Sequence, residues 1–278
     1  MTVDIANSAV LPRDRTVRPS LSDHQHMLIS WLAPIILLSV WEAASRTGMI
    51  SAQVLPAPSS VAETAWTLLA SGTLLEHLGA SLARAVLGFA IGGGIGFTLG
   101  VIVGFSRLAE SLLDRTIQMI RAIPFLALLP LVIVWFGVDE AGKIFLVSLA
   151  VMFPIYINTV LGIRQVDPKL LELVRVTGLS KLDTVRRIVL PGAMPSILTG
   201  VRYSLATAWL ALVIAETVAT TRGIGFLAMD AREFLQTNVI VLTVLIYAAI
   251  GVGADGIART LERRLLGWHP NYAKGGRK

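Results

Sequence analysis

The side chains able to do covalent chemistry in this 278-residue chain are few and scattered. There is no cysteine, and none of the four histidines (His24, His26, His77, His269) lies deep in an apolar stretch. No His-Glu-x-x-His pair is present to hold zinc, and no Gly-x-x-x-x-Gly-Lys-Ser/Thr loop to cradle nucleotide phosphates. No catalytic residue, metal site or cofactor of its own is therefore expected. What remains is charge at apolar depth. Glu216 is the one acid well inside an apolar stretch, and Arg84, Arg202 and Arg222 stand at the ends of such stretches. Ionisable groups so placed point to a transport pathway. The competing reading is that long basic side chains at the ends snorkel to water. Glu216 would repel an anion, so it is expected to pair with an arginine or to serve a gate. Tyr203, Ser204, Thr207 and Trp209, on the same stretch, are candidates for lining the pathway.

Positioning such groups falls to the apolar stretches themselves. The chain is 54% hydrophobic and only 15% charged, with a mean hydropathy of +0.71. A soluble domain carries about 25% charged residues, so the solvent is a bilayer. A soluble enzyme, a disordered regulator and a disulfide-stapled secreted domain are excluded. Segments 24–41, 85–106, 122–138, 144–163 and 234–254 contain no Asp, Glu, Lys or Arg. Each has the roughly 17–25 residues that a membrane helix needs. A sixth, near 203–221, is interrupted by Glu216. Backbone groups in lipid must be satisfied within the segment, so the spans are helices, and the alternating pattern of a barrel is absent. The expectation is an all-α polytopic membrane protein, with six transmembrane helices over 27–262 between tails 1–26 and 263–278. Trp31, Pro34 and Trp41 in the first segment, after a long polar lead, read as a retained anchor rather than a cleaved signal.

Basic residues orient the spans. With both termini inside, 19 of the 24 Lys and Arg fall in 1–26, 105–121, 164–202 and 259–278. The segments 46–84, 137–143 and 222–235 hold the other five. Positive residues stay cytoplasmic, which puts both tails and the 164–202 loop there. The net charge of +6 belongs to this asymmetry, since no basic stripe with interleaved aromatics suggests nucleic acid. Gly88, Gly92, Gly96, Gly100 and Gly104 recur every fourth residue, a seam that lets another helix backbone approach closely.

The 164–202 segment reads as a hairpin. Asp167-Pro168 is an N-cap with proline in the first turn, Gly178 a left-handed stop after Thr177, and Ser180-Lys181-Leu182-Asp183 a capping box. A second helix then places Leu182, Val185, Ile188 and Val189 on one face, and Leu190-Pro191-Gly192 is expected to end it. Physics leaves two readings open: an amphipathic hairpin resting at the interface, or a docking element for a cytoplasmic protein.

Glu172-Leu173-Val174, Gly178 and Ile188-Val189-Leu190-Pro191 resemble the EAA motif of ATP-binding-cassette importer permeases, with Leu173 and Val174 in place of two alanines. The likeness extends from the first span to about Trp268. Leu55-Pro56-Ala57-Pro58, Arg121-Ala122-Ile123-Pro124, Leu128-Leu129-Pro130-Leu131, Trp135-Phe136-Gly137 and Lys143-Ile144-Phe145 are similar to the sulfonate, taurine and nitrate group. Within it, residues 153–159 and 223–237 are most similar to the aliphatic-sulfonate branch. The resemblance implies a type I importer permease fold whose cytoplasmic coupling hairpin, 167–191, docks on an ATPase. Glu172, Leu173, Val174, Gly178, Leu179, Ser180, Ile188, Leu190 and Pro191 would carry that coupling. Glu172 would pair with a basic group in the ATPase groove.

The implied partners are two ATPase subunits that bind ATP and Mg, a second permease copy and a periplasmic binding protein. The implied setting is the bacterial inner membrane. Arg84, Tyr203, Thr207, Trp209, Glu216 and Arg222 are the pathway candidates. The outer segment 221–236, rich in glycine and apolar residues, reads as a gate, a docking surface or a partly buried loop. A taurine, nitrate or other small-anion permease is the nearest alternative. From another class, an ion-coupled secondary transporter would predict internal repeats, and none is evident.

Overall fold

The computed structural model of the protein describes residues 23–218 and 220–269, and every described element is helical. Most of the tail 1–26 and residues 270–278 of the second tail lie outside the described residues. In chain order the helices are α1 (Asp23–Arg46), α2 (Pro58–Ala70) and α3 (Thr73–Phe105). A bent pair follows, α4 (Arg107–Arg121) and α5 (Phe125–Phe136), then α6 (Glu140–Arg164) and the short α7 (Pro168–Thr177). The long α8 (Lys181–Val218), α9 (Ile224–Glu233) and α10 (Thr237–Leu265) complete the chain.

Four of these helices, α3, α6, α8 and α10, are each long and apolar enough to cross a membrane. A fifth crossing results if α4 and α5 together form one span, broken by an 84° bend. The span expected at 122–138 is therefore only the second limb, α5, and the first limb, α4, occupies 107–121, where a cytoplasmic loop was expected. Pro124 explains the break, because its ring disfavours helical backbone at Ile123 and removes one N–H donor. The chain resumes with a 3-10 turn over Phe125–Leu128.

The core is a three-helix contact of α3, α6 and α8, and glycine sets its spacing. A Cβ on Gly92 would stand 2.1 Å from the Ser148 carbonyl oxygen, and one on Gly96 2.3 Å from that of Met152. The seam expected on α3 thus lies directly on the backbone of α6. From the other side Gly200 of α8 meets Asn158 and the Pro154 carbonyl. Val147, Val151 and Ile155 of α6 pack on Ala208, Ala211 and Leu212 of α8. A second cluster seats Ile117 of α4 against Val103, Tyr156 and Val160.

Large apolar side chains cover the outside instead of charge: Trp31, Leu37 and Val40 on α1, and Val244, Val252 and Ile257 on α10, are all exposed. In a bilayer those faces meet lipid tails, which removes the cost that water would impose.

Candidate functional site

The hairpin at one end of the bundle is built as its caps dictate. The Asp167 carboxylate accepts the Lys169 backbone N–H at 2.9 Å and opens α7. Gly178 closes it in the left-handed region at φ +67°. Ser180 then accepts the Asp183 N–H at 3.1 Å while its hydroxyl donates to the Asp183 carboxylate at 2.6 Å. Val174 is buried and Leu179 half-buried, which ties the hairpin to the bundle. Glu172, Leu173, Val176 and Ser180 point outward, as does Leu182. Exposed apolar groups beside an acid on a polar hairpin suit a protein partner better than water.

Contrary to the expectation from its sequence, Leu190-Pro191-Gly192 does not end the second hairpin helix: Lys181–Val218 runs unbroken from the hairpin into the bundle. A π turn over Val185–Val189 makes this possible. Pro191 has no N–H to donate one turn back, and the widened turn before it absorbs the defect without breaking the helix. Ile188 and Pro191 are half-buried and Leu190 is exposed along this continuous rod.

At the opposite end Glu216 sits at the centre of a buried charge node. Its side chain has no exposure, and that of Arg84 has 4%. Arg84 Nη1 donates to Glu216 Oε1 at 2.7 Å and to the Arg222 carbonyl at 2.7 Å. Its other nitrogens grip Glu140 in a forked pair, Nη2 to Oε1 at 2.7 Å and Nε to Oε2. Lys143 reaches the same carboxylate at 3.2 Å. The Ser81 hydroxyl donates to Glu216 and accepts the Ile224 N–H at 2.9 Å.

The Gly225 N–H donates to Glu216 Oε2 at 2.9 Å, and the Gly223 N–H donates to His77 Nδ1 at 3.0 Å. The carboxylate therefore caps the N-terminus of α9, where a helix favours negative charge. Glycine is required there: Gly223 has φ +125°, and a Cβ on it would fall 2.5 Å from the Glu216 carboxyl. Arg84, expected at a span end, instead lies inside the protein, where it joins α3, α6, α8 and the start of α9. Arg222 brings only its carbonyl to this node. Its side chain is 65% exposed, with Nε 3.5 Å from Glu76.

The remaining pathway candidates divide between two faces of α8. Tyr203 and Thr207 line a cleft of about 450 Å3 with Phe125, Phe153 and Leu210. Trp209 stands edge-on to Tyr247 of α10 at 6.1 Å and lines a second cleft, of about 640 Å3, together with Arg202 and Tyr203, which borders both. Two residues along a helix turn about 200°, so Thr207 and Trp209 could not share a face. Ser204 is buried and donates to the Val151 carbonyl at 3.1 Å. Arg202 pairs with Asp255 of α10 at 2.7 Å.

In the 221–236 segment, Ile224 and Leu227 are buried, whereas Phe234 and Leu235 are exposed. Sequence reasoning did not single out Ser81, His77 or Glu140. His77, Ser81 and Arg84 recur at i, i+4 and i+7, a polar stripe that was visible on one helix face.

A bundle of apolar helices with a capped, outward-facing hairpin at one end and an internal charge node at the other defines a multi-pass membrane component of a transport system. Residues 92–267 match the family "binding-protein-dependent transport system inner membrane component", and the chain belongs to that family. It is 52% identical over 242 residues to the putative aliphatic sulfonates transport permease protein SsuC of Escherichia coli (strain K12), covering 87% of this chain and 92% of that one. To its counterpart in Bacillus subtilis (strain 168) it is 44% identical, with 87% of each chain covered. The taurine transport system permease protein TauC of Escherichia coli (strain K12) is 36% identical, with 84% and 87% covered.

Among solved structures, the inward-facing MetNI methionine ABC transporter has a chain that matches with TM-score 0.51 at 22% identity. That match covers 72% of this chain and 98% of that one. An amino acid ABC transporter crystallised with histidines matches with TM-score 0.57 at 18% identity, covering 68% and 92%. The fold is thus that of ABC importer permeases.

Proposed function

We propose that this chain is the permease subunit of an ATP-driven importer of aliphatic sulfonates. It works as two identical copies with two ATPase subunits that bind ATP and Mg, fed by a periplasmic binding protein. In this reading the chain crosses the membrane six times, α1 being the first crossing and the bent pair α4–α5 the third. Both termini and the hairpin are cytoplasmic. The observation that carries the reading is the likeness to the aliphatic-sulfonate permeases, which runs through almost the whole chain and includes the hairpin.

The geometry supports a mechanical route. Glu172, Leu173, Val174, Gly178, Leu179, Ser180, Ile188, Leu190 and Pro191 form the coupling hairpin, with Glu172 and Leu173 reaching the ATPase groove. Because α8 is one rod from Lys181 to Val218, displacement of the hairpin tilts a helix of the core rather than a loop. Closure of the ATPase pair would rock α8 and expose the pathway alternately to each side. Nothing covalent happens in this chain.

The test is ATP hydrolysis by the complete transporter in lipid nanodiscs, with binding protein that is empty or loaded with an alkanesulfonate, taurine or nitrate. Selective stimulation by the alkanesulfonate-loaded form is expected. Selective stimulation by taurine or nitrate would replace the cargo while keeping the importer. Ion-coupled uptake without any ATPase would overturn the class.

A further inference from the structure

Three other arginines of the bundle each meet a carboxylate: Arg84 meets Glu216, Arg164 meets Glu110 and Arg202 meets Asp255, all at 2.7 Å. Arg121 does not. It is exposed and makes no ion pair with any described residue, and its position is unusual. Arg121 closes α4 at the 84° break of the broken span. It shares the 450 Å3 cleft with Leu149, Phe153, Tyr203, Thr207 and Leu210. Phe153 stands 13 residues from the start of α6 and 11 from its end, about 20 and 16 Å along the axis. The pairs Arg164–Glu110 and Tyr156–Asp114 run α4 antiparallel along α6, and Arg121, two turns beyond Asp114, falls beside the middle stretch of α6 rather than at its end, where snorkelling would explain it.

A guanidinium held at mid-depth needs water or a counter-anion beside it. The cleft is large enough for a small organic ligand. Its walls offer apolar rings at Phe125 and Phe153 and the hydroxyl of Tyr203, whereas the Thr207 hydroxyl is already donated to the Ser204 and Ala150 carbonyls.

We propose that this cleft is a transit subsite for the cargo, with Arg121 receiving the sulfonate group and the apolar walls the alkyl tail. The assignment rests on the proposed cargo. Arg121 discriminates by charge, whereas Phe125, Phe153 and Leu210 tolerate tails of different length. The pairing is transient because one guanidinium with no second cation holds an anion weakly enough to release it.

The chain has no cysteine, so Thr207→Cys places a single reporter thiol in the cleft. In the complete transporter it is treated with 2-sulfonatoethyl methanethiosulfonate or its trimethylammonioethyl counterpart. The thiolate attacks the reagent's sulfenyl sulfur, forms a disulfide and releases methanesulfinate, read as a mass increment on this chain. After correction for intrinsic reactivity, the anionic reagent is expected to react about tenfold faster, the lower end of what a charged cleft achieves. Arg121→Gln should abolish the preference, Arg121→Lys should keep it, and ethanesulfonate should slow labelling in the parent only.

If Thr207→Cys does not assemble, Leu210→Cys reports on the same wall. Equal rates for the two reagents, a preference that survives Arg121→Gln, or no labelling by either would overturn the subsite. Any of these alongside intact sulfonate-stimulated ATP hydrolysis leaves the proposed function standing. Protection by nitrate and not by ethanesulfonate would overturn the cargo instead.

Discussion

Glu216 shows what one buried carboxylate is made to do in a chain with so little charge. Its two oxygens accept from Ser81, Arg84 and the Gly225 backbone, so one residue fixes the relation of three helices. Leaving a buried donor without its acceptor costs about 1–3 kcal/mol. Glu216→Ala is therefore expected to cost about that much for each donor it strands, seen as early loss of monodisperse protein in a thermal challenge read by size-exclusion fluorescence. Arg84 still holds Glu140 in the variant, but Gly225 N–H and Ser81 lose their acceptor. Gly223→Ala should be comparably harmful from the opposite side, because the new methyl would meet the same carboxyl at 2.5 Å. Near-parental stability for both would mean that the node is not closed in the membrane.

Among the elements, α3 and the hairpin make opposite use of glycine. On α3 it removes bulk. Gly92→Ala must push back the Ser148 carbonyl, an overpacking cost of about 1–3 kcal/mol, while Gly94→Ala, with open space around it, serves as a neutral control. A melting shift confined to the Gly92 variant is expected, and equal shifts would argue against the α3–α6 contact. At Gly178 the space is open but φ is +67°, so Gly178→Val meets backbone strain of about 1–2 kcal/mol. Insertion and stability should survive that strain, whereas, if α7 docks on the ATPase as proposed, stimulation of ATP hydrolysis by loaded binding protein should fall, because the turn sets the angle of α7.

These two elements also mark what was legible in the sequence. Caps and four-residue periodicities are local codes, and α7, Gly178 and the seam could be read directly from Asp167, Ser180 and Gly88–Gly104. That Glu216 would pair with an arginine could be expected from its depth, but which arginine is a tertiary event, since Arg84 stands 132 residues away. The continuity of α8 through Pro191 was misread for a related reason. Proline normally stops a helix, and the π turn that rescues it depends on packing, which leaves no sequence periodicity.

For the whole molecule, the charge asymmetry makes a claim about direction. The hairpin and the node sit at opposite ends of α8, whose 38 residues span about 57 Å. That is longer than a bilayer with its headgroups, about 40–45 Å, so Ser180 and Leu235 should emerge on different sides. With Arg107, Arg115 and Arg121 set aside because they lie on the first limb of the broken span, sixteen of the 24 basic residues against five still favour the hairpin end as cytoplasmic. Because the chain has no native cysteine, Ser180→Cys and Leu235→Cys each carry one thiol at an exposed site. A membrane-impermeant thiol reagent applied to intact spheroplasts should label Leu235→Cys fully and Ser180→Cys only after the membrane is opened. The reverse pattern would invert the topology and place the hairpin beyond the reach of any cytoplasmic ATPase. It would remove the mechanical route through α8 together with the importer that depends on it.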